Sequence, residues 1–600
     1  MERRLILAVF LMAIAIMVTQ ILFPPPEPPP GDEEVPAEAR PPEPDTPEPV
    51  APTVADPVDP DLPADTVWVV SDRYRYGFST RGGGLVQAEI LRHRSFVDEG
   101  RPVQLVPEDA EGLFTHRLVV GRDTFDLRQM SFEADAPGLD LRDPEAPEAL
   151  RLRSVGEGVG LELSYEFEPD GYGVQVQGRV RGLGEVGSVL LTDLGPGLEA
   201  HDDPTAQGAW FARGGGMALV TRGLGGGVVT TEFDDIGLQH VVNGPLSWVA
   251  VRDRYFLSAF LADPGQPIGG VIARELPAEP LIVEGVDPAD PPVMLRAEVF
   301  STMPVGPGGE FSFRVYVGPQ EHSRLVAMGS DLQQVNRFGY RWLQPVIRPI
   351  ASVILSLLGF LHESLGVAYG WVLILFGVLM RVVLWPLNAK AMRAQLRNMA
   401  VQPLITELRD KYKDDPQRQQ QEMMKLYKEH GFNPLAGCLP MLVPFPVLIT
   451  LFFVFEGTIA FRGEPFLWLP DLSLRDPLFI LPAFLVVSMF TLQLVMQKMS
   501  KMEVNPQLKF MMYGMPLMVG GFFFFLPSGL NLYYATTNVA TIPQQVLIAK
   551  ERRRAQEELE RKKAAEKKDE KKKDGDKPGK AKAGAGAGNR AARRRARRKG

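Results

Sequence analysis

The sequence predicts a multi-domain membrane protein: an all-α five-helix transmembrane core, an N-terminal anchor helix, and an antiparallel β-sandwich domain between the two. Three observations carry this. Apolar runs of spanning length occur within residues 1–26 and again in 367–549. The stretch from Thr66 alternates apolar and polar residues, with frequent Gly and Pro. Basic residues gather in alternate loops and in the tail.

Leu5–Phe23 is uncharged and follows Arg3 and Arg4. No small-x-small cleavage site follows it, so 1–26 reads as an uncleaved anchor rather than a signal peptide. Residues 27–65 are dominated by Pro, Asp and Glu, a composition that buries no core and reads as an extended linker. In 66–326, Leu161, Leu163, Tyr165 and Phe167 alternate with polar residues. So do Phe311, Phe313, Val315 and Val317, with Ser312, Arg314 and Tyr316 on the other face. Period two with no intervening helical pattern predicts an antiparallel sandwich.

Residues 327–366 hold Trp342–Leu361, an apolar run with Pro345, Arg348 and Pro349 near its start. These make a poor span and predict an amphipathic helix in the outer interface. The core, 367–549, contains five apolar runs: Val367–Leu387, Leu435–Phe461, Leu478–Gln497, Phe510–Leu526 and the more polar Leu530–Ala549. Between the first two, 388–434 has three- and four-residue apolar spacing broken at Pro416, and reads as a helical hairpin.

The loop 388–434 carries nine Lys and Arg, 498–509 three, and 462–477 only two. The positive-inside rule then puts both termini in the cytoplasm of an inner-membrane protein and the large domain in the periplasm. Residues 1–549 carry a net charge of −21 and 550–600 one of +13. An acidic body with a basic tail suggests an anionic partner at the C-terminus. The cluster Arg593, Arg594, Arg595, Arg597, Arg598 and Lys599 suits a polyanion: ribosomal RNA, or the headgroups of membrane lipids.

The single cysteine, Cys438, forms no internal disulfide and reads as a buried structural thiol. The β-domain histidines, His93, His116, His201, His240 and His322, show no metal-ligand spacing. There is no G-x-S-x-G, and Gly82–Gly84 and Gly225–Gly227 lack a P-loop lysine. Trp68, Trp210 and Trp248 read as core residues ahead of a sugar platform. The pattern gives no catalytic residue, metal or cofactor.

Arg381 is the only charge in Val367–Leu387. An arginine near a helix centre costs roughly 2.5–3.5 kcal/mol on insertion. It lies about 9 Å from the cytoplasmic end of that run and about 21 Å from the other. Side chains tilt toward the helix N-terminus, so Arg381 leans toward the bilayer centre rather than the nearer surface. A wet, protein-lined cavity is the cheaper environment. Tyr534, Asn538, Thr541 and Gln545 share one face of the last span, and Ser488 and Thr491 form a shorter polar strip on another. Tyr533 adjoins the first set.

These residues resemble the YidC/Oxa/Alb family of membrane protein insertases, most closely its Gram-negative branch. The resemblance rests on Met380-Arg381-Val382-Val383-Leu384-Trp385-Pro386-Leu387, Gln421-Glu422-Met423-Met424-Lys425-Leu426-Tyr427-Lys428, and Asn433-Pro434-Leu435-Ala436-Gly437-Cys438. Phe525-Leu526-Pro527-Ser528-Gly529-Leu530-Asn531-Leu532-Tyr533-Tyr534 follows, with Asn538 and Gln544-Gln545 beyond it. It implies an insertase and chaperone rather than an enzyme. Five core spans would enclose a hydrophilic groove, open to cytoplasm and lipid, with Arg381 and Tyr534 in it. Its substrates would be nascent membrane proteins, taken alone or with the Sec translocon. Gly377 and Pro444 stand where the family often has polar residues. The other reading, a polytopic transporter or channel, predicts internal repeats and paired in-membrane charges, which the sequence lacks.

Overall fold

The computed structural model describes residues 64–575, apart from 98–99, 157, 184–186, 203–215, 281–292, 337, 340–342, 387–407, 409–410, 414, 430–444 and 501–505. The anchor, the linker, Trp210, Cys438, most of the cytoplasmic hairpin and the basic cluster at 593–599 lie outside the described residues. The described residues fall within one compact unit.

The β-rich part follows directly from the alternation. Leu161, Leu163, Tyr165 and Phe167 are all buried along Gly160–Phe167, as are Phe311, Phe313, Val315 and Val317 along Glu310–Pro319. Among the described residues two sheets result, one of five strands and one of fourteen. In the larger one, Gly160–Phe167 pairs antiparallel with Gly173–Arg181, and that strand with Glu310–Pro319. Phe256–Ala262 and then His240–Arg252 extend the sheet. Trp248 is fully buried and donates from Nε1 to the Ser330 carbonyl at 2.9 Å, a core role. Tyr316 departs from the expected pattern. It lies on the opposite face from Val315 yet is 1% exposed, because Tyr172 covers that face at a ring separation of 6.0 Å.

The helices begin with α1 (His322–Ala327) and α2 (Gln344–Leu365). Pro345 sits in the first turn of α2, where its missing N–H would have had no helical partner. One stripe of α2, Ile347, Ala351, Ile354 and Leu358, is buried in the helical core, while Val346, Val353 and Phe360 are exposed. Beyond it come α3 (Tyr369–Val383), α4 (Pro416–Glu429), α5 (Phe445–Gly457), α6 (Ile480–Ser500), α7 (Pro506–Phe523) and α8 (Ser528–Gly575). Among the described residues, α2 is the one helix long and apolar enough to cross a membrane by length and composition; Tyr369–Val383 and Ile480–Leu492 are shorter apolar helices. α8 runs from the last apolar segment into the charged tail as one rod of 48 residues, roughly 70 Å long.

Gly377 has a packing explanation. A Cβ there would meet the Thr536 Cγ2 at 3.1 Å and the Thr537 Cγ2 at 3.5 Å, so α3 and α8 cross through its missing side chain. Gly377→Leu is expected to force the two helices apart and destabilise the helical core by about 1–3 kcal/mol. Thermal unfolding in detergent against Gly521→Leu reads this, since a Cβ at Gly521 meets nothing within 4 Å.

Candidate functional site

The helical core has two halves of opposite character. On the side nearest the β-domain, Phe376 of α3, Val454 and Phe455 of α5, Leu481 and Leu485 of α6, and Leu530 of α8 pack into one apolar cluster. Tyr533 closes it from below, 6% exposed, its ring 5.7 Å from those of Phe376 and Phe455. Farther from the β-domain, individual polar residues appear on α3, α6 and α8. Arg381 is half-buried one turn beyond Gly377, and its Nε has no hydrogen-bond partner among the described residues.

Arg381 and Tyr533 are near enough to interact electrostatically. This follows from the helix directions: α3 and α8 run parallel, with Leu373 beside Gly529 and Gly377 beside Thr536. Arg381, leaning back toward its own N-terminus, thus meets the Tyr533 face of α8. The Tyr534 face looks elsewhere. Tyr534 packs edge-on to Phe523 at 4.9 Å, and Asn538 donates to the Ser488 hydroxyl of α6 at 3.0 Å.

Of the remaining polar residues, Thr541 is buried and donates back to the Thr537 carbonyl at 2.6 Å. Thr491 is exposed and donates back to Val487 at 2.8 Å, so it joins no interhelical bond. Gln545 keeps its Oε1 buried and unpaired among the described residues. Sequence reasoning passed over Gln544, which is 1% exposed with both amide atoms unpaired among the described residues. The signal was present: Tyr533, Thr537, Thr541 and Gln544 recur at offsets 0, 4, 8 and 11, the face turned toward α3. The structure thus brings together Arg381 with Tyr533 on one side and Asn538 with Ser488 on the other. Unmet hydrogen-bonding groups inside an apolar surround cost of order 1–3 kcal/mol each.

A β-rich domain joined to an apolar helical core defines a membrane-associated protein with a large domain outside its helices. Two family models match the chain: "60Kd inner membrane protein" over residues 360–556 and "YidC periplasmic domain" over 66–353. The membrane protein insertase YidC of Chlorobium phaeovibrioides is 31% identical over 508 residues, 80% of this chain and 82% of that protein. That of Bordetella petrii is 30% identical over 510 residues, 82% and 84% of the two chains. A crystal structure titled an active YidC insertase aligns over 81% of this chain and 94% of its own, at 18% identity and a TM-score of 0.30, which adds nothing to the sequence relation. The chain belongs to the YidC family of membrane protein insertases, and its β-rich part is the periplasmic domain of that family.

Proposed function

We propose that the chain inserts nascent membrane proteins by lodging a polar segment in the inner half of its helical core, beside Arg381. The observation that carries this is the polar set gathered beyond the apolar cluster. Arg381, Asn538, Ser488, Thr541, Gln544 and Gln545 lie beyond Tyr533, which closes the apolar cluster. The barrier to moving a polar segment into a bilayer is dehydration. A partly wet groove shortens the dry path, Arg381 attracts acidic or polar groups, and the apolar helix of the substrate leaves sideways into lipid, driven by burial. No bond is broken, so the work needs no nucleophile and no cofactor.

The full arrangement belongs to the same reading. Five spans built on α3, α5, α6, α7 and the first part of α8 form the core in the inner membrane, with an N-terminal anchor and both termini in the cytoplasm. α2 lies in the outer interface. Its ninth residue, Ser352, contacts His322 of α1 at 3.2 Å, and Arg348 donates to Gln334 at 3.2 Å, so its middle rests against the periplasmic domain. Its exposed face, Val346, Val353 and Phe360, then meets lipid. The α8 rod carries the tail toward the ribosome, with Arg593, Arg594, Arg595, Arg597, Arg598 and Lys599 as its polyanion contacts. The chain acts alone or beside the Sec translocon.

Photocrosslinking probes at Arg381, Tyr533 and Tyr534 are expected to capture a nascent phage-coat-like protein during insertion into liposomes, with a probe at exposed Val487 capturing lipid only. Silence at all three inner positions would overturn the groove. Deleting 551–600 is expected to remove salt-sensitive ribosome co-sedimentation; retention of binding would exclude the tail.

A further inference from the structure

The loop 462–477, between α5 and α6, ties together the ends of four helices. Phe466 lies over Gly370 of α3, so closely that a Cβ there would overlap its ring. The Asp471 carbonyl accepts from the Ser528 hydroxyl, and the Leu472 carbonyl from the Gly529 N–H, both at the start of α8. Asp476 caps α6, accepting from the N–H of Leu478 at 3.0 Å and of Leu481 at 2.7 Å. Just ahead of the loop, Ile459 is buried in the core of the periplasmic domain rather than in that of the helices.

Arg462 fixes this loop to the periplasmic domain. Its side chain is 1% exposed. Nε pairs with Asp202 at 2.9 Å, Nη1 donates to the Arg94 carbonyl at 2.9 Å and Nη2 to the His201 carbonyl at 3.2 Å. The guanidinium also lies over the Phe96 ring at 4.3 Å. Arg254 adds a second tie, donating to the Glu456 carbonyl at 3.0 and 2.8 Å.

The receiving side depends on His201, 3% exposed. Its Nδ1 is 2.8 Å from the Glu199 carbonyl and its Nε2 is 3.0 Å from the Asp253 Oδ2, an ion-pair distance outside hydrogen-bond alignment. Both ring nitrogens face groups that only accept, so the environment selects the imidazolium. Its ring stands edge-on to Phe256 at 4.5 Å.

We infer that the 462–477 loop is the outer closure of the groove, that Arg462 is its positioning residue, and that protonated His201 holds the site that receives Arg462. This rests on the groove proposed above and extends it: the periplasmic domain regulates how firmly the core is shut on its own side. The groups acting on His201 are Asp253, Asp202 and Arg462; Arg254, Glu456, Asp471 and Tyr255 surround the same junction. Burial and the adjacent Arg462 guanidinium lower the His201 value, but the Asp253 and Asp202 carboxylates outweigh both and hold the imidazole above its usual 6.5. A raised folded value stabilises fully below the unfolded one and is lost as pH rises through the folded one. The receiving site around His201 is therefore firm at mildly acidic pH and loosens in alkali, and the closure loosens with the site that anchors it.

The test uses the full chain in liposomes carrying Cys438→Ser and Ser473→Cys, since Ser473 is 5% exposed within the loop. Labelling by a membrane-impermeant thiol reagent is divided by that of a Leu467→Cys control, 72% exposed on the same loop, which cancels thiol ionisation. The ratio is expected to rise roughly tenfold from about pH 6 to about pH 9. Arg462→Met, which keeps the stem, should raise it at every pH, and His201→Gln should flatten the profile. A flat profile in the parent overturns the inference without any variant, as does an Arg462→Met ratio equal to the parent's. Insertion by the parent is scored in the same vesicles; its failure counts against the groove, and a flat profile with normal insertion against the closure alone.

Discussion

Asp253→Ala is expected to lower the stability of the periplasmic domain by about 3–5 kcal/mol, the cost of removing one partner from a buried charge pair. The carboxylate is buried and fully engaged. Oδ1 accepts from the N–H groups of Tyr255 and Phe256, both at 2.7 Å, and Oδ2 faces His201. Alanine leaves two buried N–H groups and an imidazolium without their acceptor. Asp253→Asn keeps an acceptor for the N–H groups and loses the charge, so it is expected to cost less. Chemical unfolding followed by hydrogen exchange on 194–202 and 253–258 measures both. A loss under about 1 kcal/mol for alanine would place the pair among the weak surface bridges instead.

The pH dependence of this stability follows from the same geometry. Burial alone would raise the Asp253 value, but the charge of His201 and the two backbone N–H groups hold it below its ordinary 3.8. A depressed carboxylate contributes above its unfolded value and loses that contribution as pH falls through the folded one. His201 sets the alkaline limit. The pair is thus worth most between about pH 4 and about pH 6.5, and falls away on both sides. Asp253→Ala is expected to remove the acid limb and to shrink the alkaline one, where Asp202 still raises the His201 value.

Much of this architecture was legible because it is periodic. The alternation at 161–167 fixes one face of a strand, and a sheet that covers a core must bury that face. It could not show that Tyr316 would be buried on the far side, since the cover comes from Tyr172, 144 positions away in the chain. The inward lean of Arg381 came from helix geometry alone. Which face of α8 it meets did not. A 3.6-residue period makes the Tyr534–Gln545 and Tyr533–Gln544 stripes look alike, and only the crossing at Gly377 turns the second toward α3. Arg462 was least visible. Counted by the positive-inside rule it is one of two basic residues in a sparse loop, yet its partner Asp202 lies 260 residues earlier. Charge counting reports which side a loop is on and cannot report what the loop is fastened to.

Arg381→Leu is expected to make the helical core more stable and the insertase slower. On insertion scales an arginine near a helix centre costs roughly 2.5–3.5 kcal/mol relative to an apolar residue, so leucine should recover part of that and raise the unfolding temperature in lipid. The half-buried Nε, unpaired among the described residues, gives up no hydrogen bond in the exchange. Insertion of a substrate with an acidic translocated segment should fall roughly tenfold, the ratio set by about 1.4 kcal/mol of lost attraction. A substrate with a neutral segment should fall less. Opposite movement of stability and rate is the mark of a costly group retained for function. A charge merely tolerated by the fold predicts a more stable protein with unchanged rates, and a structural charge predicts that both fall together. Gln544→Leu extends the comparison on the facing helix: it removes a buried amide with neither atom paired among the described residues and leaves Arg381 in place. If hydration of the groove matters more than its charge, Gln544→Leu slows acidic and neutral segments equally, whereas Arg381→Leu separates them.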